Sequence, residues 1–193
     1  MTIAGILGSA GRPSGTSRVD LGTACVWLGP ARAFGSGGHE TTASCLEVLR
    51  GLPGLADARV LDVGCGTGVL GLAALALGAR SVVAVDTEAD SIAATRENAR
   101  LNGMSDRVVP ILGDVLAAGR ARFDLILANL YGDLILASID EMVARLAATG
   151  RLLLSGIRWE ERFEIQAALG RLGVEVHRTL MLEEYVTLLA RGH

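Results

Sequence analysis

From residue 59 onward the chain alternates short apolar runs with stretches of helical length, and then breaks the alternation near its end. "RVLDV", "SVVAVD", "RVVPIL", "FDLILAN" and "RLLLSG" are apolar on successive residues, so both of their faces must be covered, as in a parallel sheet. "GVLGLAALALG", "EADSIAATRENARLNG", "DLILASIDEMVARLAATG" and "WEERFEIQAALGRLG" read as helices. The last two runs, "VEVHRTL" and "EYVTLLA", lie too close together for a crossover of roughly a dozen residues and must pair antiparallel. The pattern predicts an α/β domain with a predominantly parallel sheet, helices on both faces and an antiparallel C-terminal hairpin.

Local signals set the expected ends. Gly78 and Gly103 stop two helices, and Thr87 with Asp90 fits a capping box. Ile135, Ile139, Met142 and Leu146 share one helical face. Upstream, "TACVWL" reads as a strand, and "HETTASCLEVLRGL" as a helix with Cys45, Leu46 and Leu49 inward that stops at Gly51 and Pro53. Residues 1–22, rich in Gly, Ser and Thr, read as a loose arm or linker remnant, which puts the folded domain at residues 23–193.

Half of the 193 residues are hydrophobic and 4% are aromatic, so the core must be built from Leu, Val, Ile and Ala. A net charge of −3 weighs against a broad nucleic-acid surface, and Arg59, Arg80, Arg96, Arg100, Arg107, Arg120 and Arg122 are scattered; no direct nucleic-acid binding is expected. Cys25, Cys45 and Cys65 form neither a metal-ligand spacing nor a disulfide framework, so no metal is expected and the thiols are free. The longest uncharged run, Val63 to Ala79, contains five glycines and is too short to span a membrane, and no signal-peptide start is visible. The expectation is a cytoplasmic protein that does not engage a membrane.

"VLDVGCGTG" puts Gly64, Cys65, Gly66 and Gly68 in the turn between the first apolar strand and its helix, where open parallel sheets bind ligands. Asp86 follows 22 residues after Gly64 at the tip of the next strand, where a carboxylate accepts ribose hydroxyls. Together they indicate a nucleoside cofactor. Gly66, Gly68 and Gly71 also satisfy GxGxxG, which leaves a nicotinamide dinucleotide open. Against it stand the buried-strand carboxylate of Asp62, better suited to a cation, the shortness of the chain, and its closing hairpin.

The D-x-G-x-G-x-G stretch, the βα units and the antiparallel end resemble the class I (Rossmann-like) S-adenosyl-L-methionine-dependent methyltransferases, which implies the strand order 3-2-1-4-5-7-6. The resemblance implies that Asp62, Gly64, Cys65, Gly66, Gly68 and Asp86 belong to the cofactor site and that Asp114 holds the adenine amino group. It also implies that Asn129 belongs to the cofactor site and, with the Leu130 carbonyl, orients an amine; Leu130 and Tyr131 stand where many such enzymes carry prolines. "AFGSGGHETT", "LDVGCGTGVLG", "LANLYGDL" and "LSGIRWEERFEIQAALGRLG" more narrowly resemble the PrmA-type methyltransferases, which modify amino groups of ribosomal protein L11. This implies that the loop 33–42 folds over the cofactor, with Phe34 and Thr41 near its methionine part and His39 orienting the loop. The resemblance begins near residue 24, and the separate N-terminal recognition domain of that family has no counterpart in the residues before it. A protein acceptor, ribosomal in that family's manner, is the leading expectation. Another protein or a small molecule as acceptor, a nicotinamide-dependent oxidoreductase, and a non-catalytic subunit stay open.

Overall fold

The computed structural model describes residues 14–30 and 39–192. A short antiparallel hairpin, β1 (Ser17–Asp20) and β2 (Cys25–Leu28), comes first, followed by α1 (Glu40–Gly51). The main body continues through β3 (Arg59–Val63), α2 (Val69–Ala76), β4 (Ser81–Asp86), α3 (Ala89–Leu101) and β5 (Val108–Leu112). A 3-10 turn (Val115–Ala118), β6 (Phe123–Asn129), α4 (Gly132–Ala144) and β7 (Leu146–Arg158) follow. A second 3-10 turn (Trp159–Glu161), α5 (Arg162–Arg171), β8 (Val174–Met181) and β9 (Tyr185–Gly192) complete it.

The seven-stranded sheet has the order β5-β4-β3-β6-β7-β9-β8. Counted from β3, this is the expected 3-2-1-4-5-7-6. The first five strands are parallel and β9 runs antiparallel to both β7 and β8. Alternate residues of the central strands feed two cores. Val60, Leu125, Leu127, Leu153 and Leu189 pack with α1, α2 and α3 on one face. Leu61, Ile126, Ala128, Leu152 and Leu188 pack with α4 and α5 on the other. The central strands β3, β6 and β7 are therefore covered on both sides, which is why their runs read as continuously apolar, while the edge strands β5 and β8 stay partly exposed.

Two local features differ from the sequence reading. Ser17–Asp20, within the stretch read as a loose arm, is a strand paired residue for residue with β2. Its "SRVD" pattern carries a single apolar residue, Val19, too little to mark a strand, and the partner strand supplies the conformation. Helix α4 stops at Ala144, and Leu146 pairs with Phe123 at the start of β7; a register shift then absorbs the residues before Arg151 pairs with Leu125. The Phe123 N–H donates to the Arg145 carbonyl, so pairing to β6 wins over continued helix. Among the described residues no helix is long and apolar enough to cross a membrane.

Two asparagines fasten the N-terminal hairpin to the body. Asn102 Oδ1 accepts the Trp27 N–H (2.8 Å) and its Nδ2 donates to the Trp27 carbonyl (2.7 Å). Buried Asn98 accepts the Gly29 N–H (2.8 Å) and donates to the Thr67 carbonyl (2.9 Å), so one side chain ties the segment after β2 to the glycine loop. Replacing it by Ala leaves a donor and an acceptor unpaired. Asn98→Ala is expected to destabilise the protein by about 2–4 kcal/mol in urea unfolding, two unmet polar groups at roughly 1–3 kcal/mol each being involved.

Candidate functional site

A cleft of about 770 Å³ opens at the carboxyl ends of β3, β4 and β6, where β3 and β6 lie side by side while the chain leaves them in opposite directions across the sheet. Its floor is the glycine loop. Gly64, Gly66 and Gly68 have φ of 68°, 54° and 77°, a region that only glycine enters freely. The loop's N–H groups point inward. Those of Gly64 and Cys65 donate to the Val85 carbonyl (2.9 and 3.1 Å), that of Gly68 to the Cys65 carbonyl (2.7 Å), and that of Gly66 to Asp86 Oδ2 (2.9 Å). A pyrophosphate cradle needs such groups free and converging on the ligand. These four are engaged.

The charge of the cleft agrees. Asp86, Glu88, Asp90, Asp114 and Glu141 line it, and no Arg or Lys does among the described residues. Such a wall attracts a cation and repels a dinucleotide. Asp86 Oδ1 also accepts the Glu88 N–H (2.9 Å), yet each carboxylate oxygen retains acceptor capacity for a hydroxyl. The capping box expected from Thr87 and Asp90 does not form: Glu88 is the N-cap of α3 and its side chain makes no cap bond.

The predicted residues divide into two groups. Thr41, Gly64, Gly66, Asp86, Asp114, Asn129 and Leu130 meet at the cleft. Asp62, Cys65 and Gly68 do not line it and instead build the loop beneath. Gly68 caps α2 against the Thr95 side chain, whose hydroxyl donates to the Gly66 carbonyl (2.9 Å). Buried Cys65 sits 3.3 Å from that hydroxyl, and burial pushes its thiol up to about 12. Asp62 Oδ2 accepts the Gly71 N–H (3.0 Å) at the start of α2. Burial pushes the Asp62 carboxyl up to about 7, the Gly71 N–H opposing and the charge of Asp86 adding. Asp114 has both roles, since Oδ1 caps the following 3-10 turn through the Leu116 N–H (2.8 Å) while the residue faces the cleft. Phe34 and the glycines 35, 37 and 38 lie outside the described residues, and the lid expectation with them.

At the end of β6, Asn129 Nδ2 donates to the hydroxyl of buried Thr42 (3.3 Å), which leaves its carbonyl oxygen as the free end of the amide. The Leu130 N–H donates to the Ser155 carbonyl (3.0 Å). The Leu130 carbonyl lies against Gly156 (φ 80°), where a Cβ would collide with it, and the Leu130 side chain likewise excludes a Cβ at Gly64. His39 is the N-cap of α1: its Nδ1 lies 2.8 Å from the Thr41 hydroxyl and accepts the Thr41 N–H at 3.4 Å. Its ring meets Tyr185 edge-on at 5.6 Å.

Sequence reasoning missed the supports of this corner. Ser44 of α1 and Ser155 of β7 both hydrogen-bond Thr187 of β9, the latter at 2.6 Å, and all three are buried. The available signal was a hydroxyl interrupting each of two apolar runs, "LLLSG" and "YVTLLA", with the Thr-Thr pair of "HETT".

Comparison with known proteins follows the same lines. The family model described as ribosomal protein L11 methyltransferase (PrmA) matches residues 13–193. The ribosomal protein L11 methyltransferase of an Exiguobacterium species is 37% identical over 166 residues, covering 86% of this chain and 53% of its own length. That of Parasynechococcus marenigrum is 44% identical over 155 residues, covering 77% and 53%. The chain thus spans about half the length of these curated relatives. A solved ribosomal protein L11 methylase from Lactobacillus delbrueckii superposes with a TM-score of 0.79 at 32% identity, over 86% of this chain and 84% of that one. A 16S rRNA methyltransferase of T. thermophilus, solved with AdoMet and guanosine, gives 0.73 at 23% identity over 92% and 50%, a likeness of fold alone.

The raised carboxyl of Asp62 makes a signed prediction. The folded state holds this proton more tightly than the unfolded chain, so the contribution to stability is greatest at low pH and is lost as pH rises toward about 7. Relative to Asp62→Asn, which keeps an acceptor for Gly71, the unsubstituted protein is expected to gain about 2–3 kcal/mol between pH 8 and pH 5. Chemical denaturation of both proteins across that range checks it.

Proposed function

The chain belongs to the PrmA family of ribosomal protein L11 methyltransferases, and on that premise we propose that it is an S-adenosyl-L-methionine-dependent N-methyltransferase. Its acceptor is an amino group of a protein, a lysine side chain or N-terminus, and the protein is ribosomal. The observation that carries the reading is the Asn129 corner: an amide held by Thr42 with its carbonyl end free, at the rim of an acidic cleft that no Arg or Lys lines among the described residues.

The residues fit this cofactor. Gly64 and Gly66 leave the floor without side chains, Asp86 offers acceptors for a ribose, and Asp114 lies further along the same wall. With the loop's N–H groups engaged and the walls acidic, a cationic nucleoside suits the cleft and a nicotinamide dinucleotide does not. When bound, S-adenosyl-L-methionine supplies a methyl group activated by a sulfonium centre.

The chain's own contribution is alignment and electrostatics. Asn129 Oδ1 and the Leu130 carbonyl accept hydrogen bonds from a neutral amine and so direct its lone pair. The same oxygens favour the positive charge that develops on nitrogen. A lysine amine must first lose a proton from a group whose ordinary pKa is about 10.4. The apolar surfaces of Val63, Val85 and Leu134 in the cleft disfavour the charged form, so desolvation works in that direction.

The test is incubation with methyl-labelled S-adenosyl-L-methionine and lysate from a strain lacking the gene, with ribosomal, soluble-protein, RNA and small-molecule fractions counted separately. All 18 basic residues of this chain are Arg, so any label recovered on lysine comes from the acceptor. The expected outcome is label in a ribosomal protein, reduced on the order of 10²–10³-fold by Asn129→Ala, in line with loss of one oriented transition-state contact. S-adenosylhomocysteine affinity should change only a few-fold. Label confined to another fraction would discard the ribosomal acceptor. Failure of the unsubstituted protein to bind S-adenosylhomocysteine would sink the reading.

A further inference from the structure

The sequence has only two Trp, two Tyr and three Phe, so the placement of each aromatic side chain is informative. Four of the seven gather at the carboxyl end of the sheet beside the cleft. Tyr131 lines the cleft mouth and is 68% exposed; Trp159 and Phe163, just beyond β7, are 47% and 68% exposed. Tyr185, the first residue of β9, also lines the cleft. Met181, at the end of β8, adds a fifth large apolar side chain at 51% exposure.

These residues form one connected surface. Trp159 Nε1 donates to the Tyr185 carbonyl (3.3 Å), and Arg158 and Tyr185 are paired residues of β7 and β9. The Arg162 guanidinium reaches Met181 Sδ (3.5 Å) and lies over the Phe163 ring at 4.3 Å. The Glu161 carboxylate packs against Gly132, next to Tyr131, and accepts the Arg158 N–H (2.9 Å). Solvent-exposed Trp, Tyr, Phe, Met and Arg in one contiguous patch is the composition of a protein–protein interface core, not of ordinary surface. The three segments 131–134, 158–164 and 181–185 also carry Asp133, Glu160, Glu161, Glu164, Glu183 and Glu184 against two guanidiniums, Arg158 and Arg162. A rim of that sign complements a basic partner.

We infer that the Tyr131–Trp159–Phe163–Met181 rim is the docking surface for the acceptor protein, a basic protein that sets an apolar patch on this rim while its amine enters past Tyr131 and Tyr185. The identity of the occupant rests on the methyltransferase reading above; the surface rests on exposure, contact and charge. A nucleic acid is the weaker occupant, because the surrounding carboxylates would repel its phosphates.

The test uses the full chain, purified ribosomal protein L11 from the same organism, and direct binding by biolayer interferometry at two salt concentrations. Trp159→Ser combined with Phe163→Ser should weaken binding at least tenfold, and Phe163→Ser alone at least threefold. S-adenosylhomocysteine affinity should stay within twofold of the unsubstituted protein, which shows that each variant is folded. In steady-state methylation of the same protein, KM should rise in parallel while kcat stays within about twofold. Equal binding by folded variants overturns the inference, as does no binding of this ribosomal protein by the unsubstituted chain, or binding only to ribosomal RNA. Binding that is lost in the variants, with no methyl transfer by the unsubstituted chain, leaves the docking surface standing and removes the methyltransferase reading.

Discussion

The hydrogen bond from the Gly66 N–H to Asp86 is the contact on which the cleft depends. It turns the glycine loop away from the ligand space and toward β4, where Val85 takes two more of its N–H groups. The loop is clamped from the other side by Thr95 and Asn98 of α3, which bond the Gly66 and Thr67 carbonyls. A glycine-rich turn ahead of a helix can serve as a phosphate nest only if its amides face outward. Here the same sequence element makes a smooth floor whose polar groups belong to the protein. The ligand's polar contacts must then come from the carboxylates around it, and this selects for hydroxyls and positive charge.

How far the sequence revealed this depended on the range of each interaction. The parallel character of the sheet and the closing hairpin were readable because continuous apolar runs and connection lengths are local properties with few topological solutions, whereas the strand order came only with the resemblance to class I methyltransferases. Asp86 was readable from its spacing after Gly64. The strand Ser17–Asp20 was not, because its polar residues acquire a strand conformation only from pairing with β2. Helix α4 was drawn too long for a related reason. Leu146 continues the helical face of Ile135, Ile139 and Met142, yet its pairing with Phe123 across the sheet decides its state. The Thr87–Asp90 capping pattern was present and unused, since α3 takes Glu88 as its N-cap, one residue beyond the position the pattern marks.

Within the candidate site, sequence reasoning found the residues that face the ligand space more readily than those that hold them. Asn129 stands out at the end of an apolar strand. Thr42, which fixes its amide, looks like any residue in the first turn of a helix until the fold brings α1 across β6. Asp62 lies on the supporting side of that division. The structure engages this carboxylate, just before the glycines, with the Gly71 N–H at the root of α2, buried beneath the loop.

The reversed strand explains why the corner around Asn129 contains residues from so late in the chain. Along a parallel strand, residues at the carboxyl end of the sheet come last. Because β9 runs against β7, its first residues are the ones delivered there: Tyr185 opposite Arg158 and Thr187 within reach of Ser155. Thr187 then meets Ser44, so the hairpin grips the opening turns of α1, the helix that supplies Thr41 and Thr42 to the site. A seventh strand added in the parallel sense would have placed Tyr185 and Thr187 at the amino end, far from the cleft. The antiparallel ending is thus part of the cleft's architecture: one change of strand direction lets the C-terminal hairpin brace α1 and, through Thr42, the Asn129 amide at the cleft.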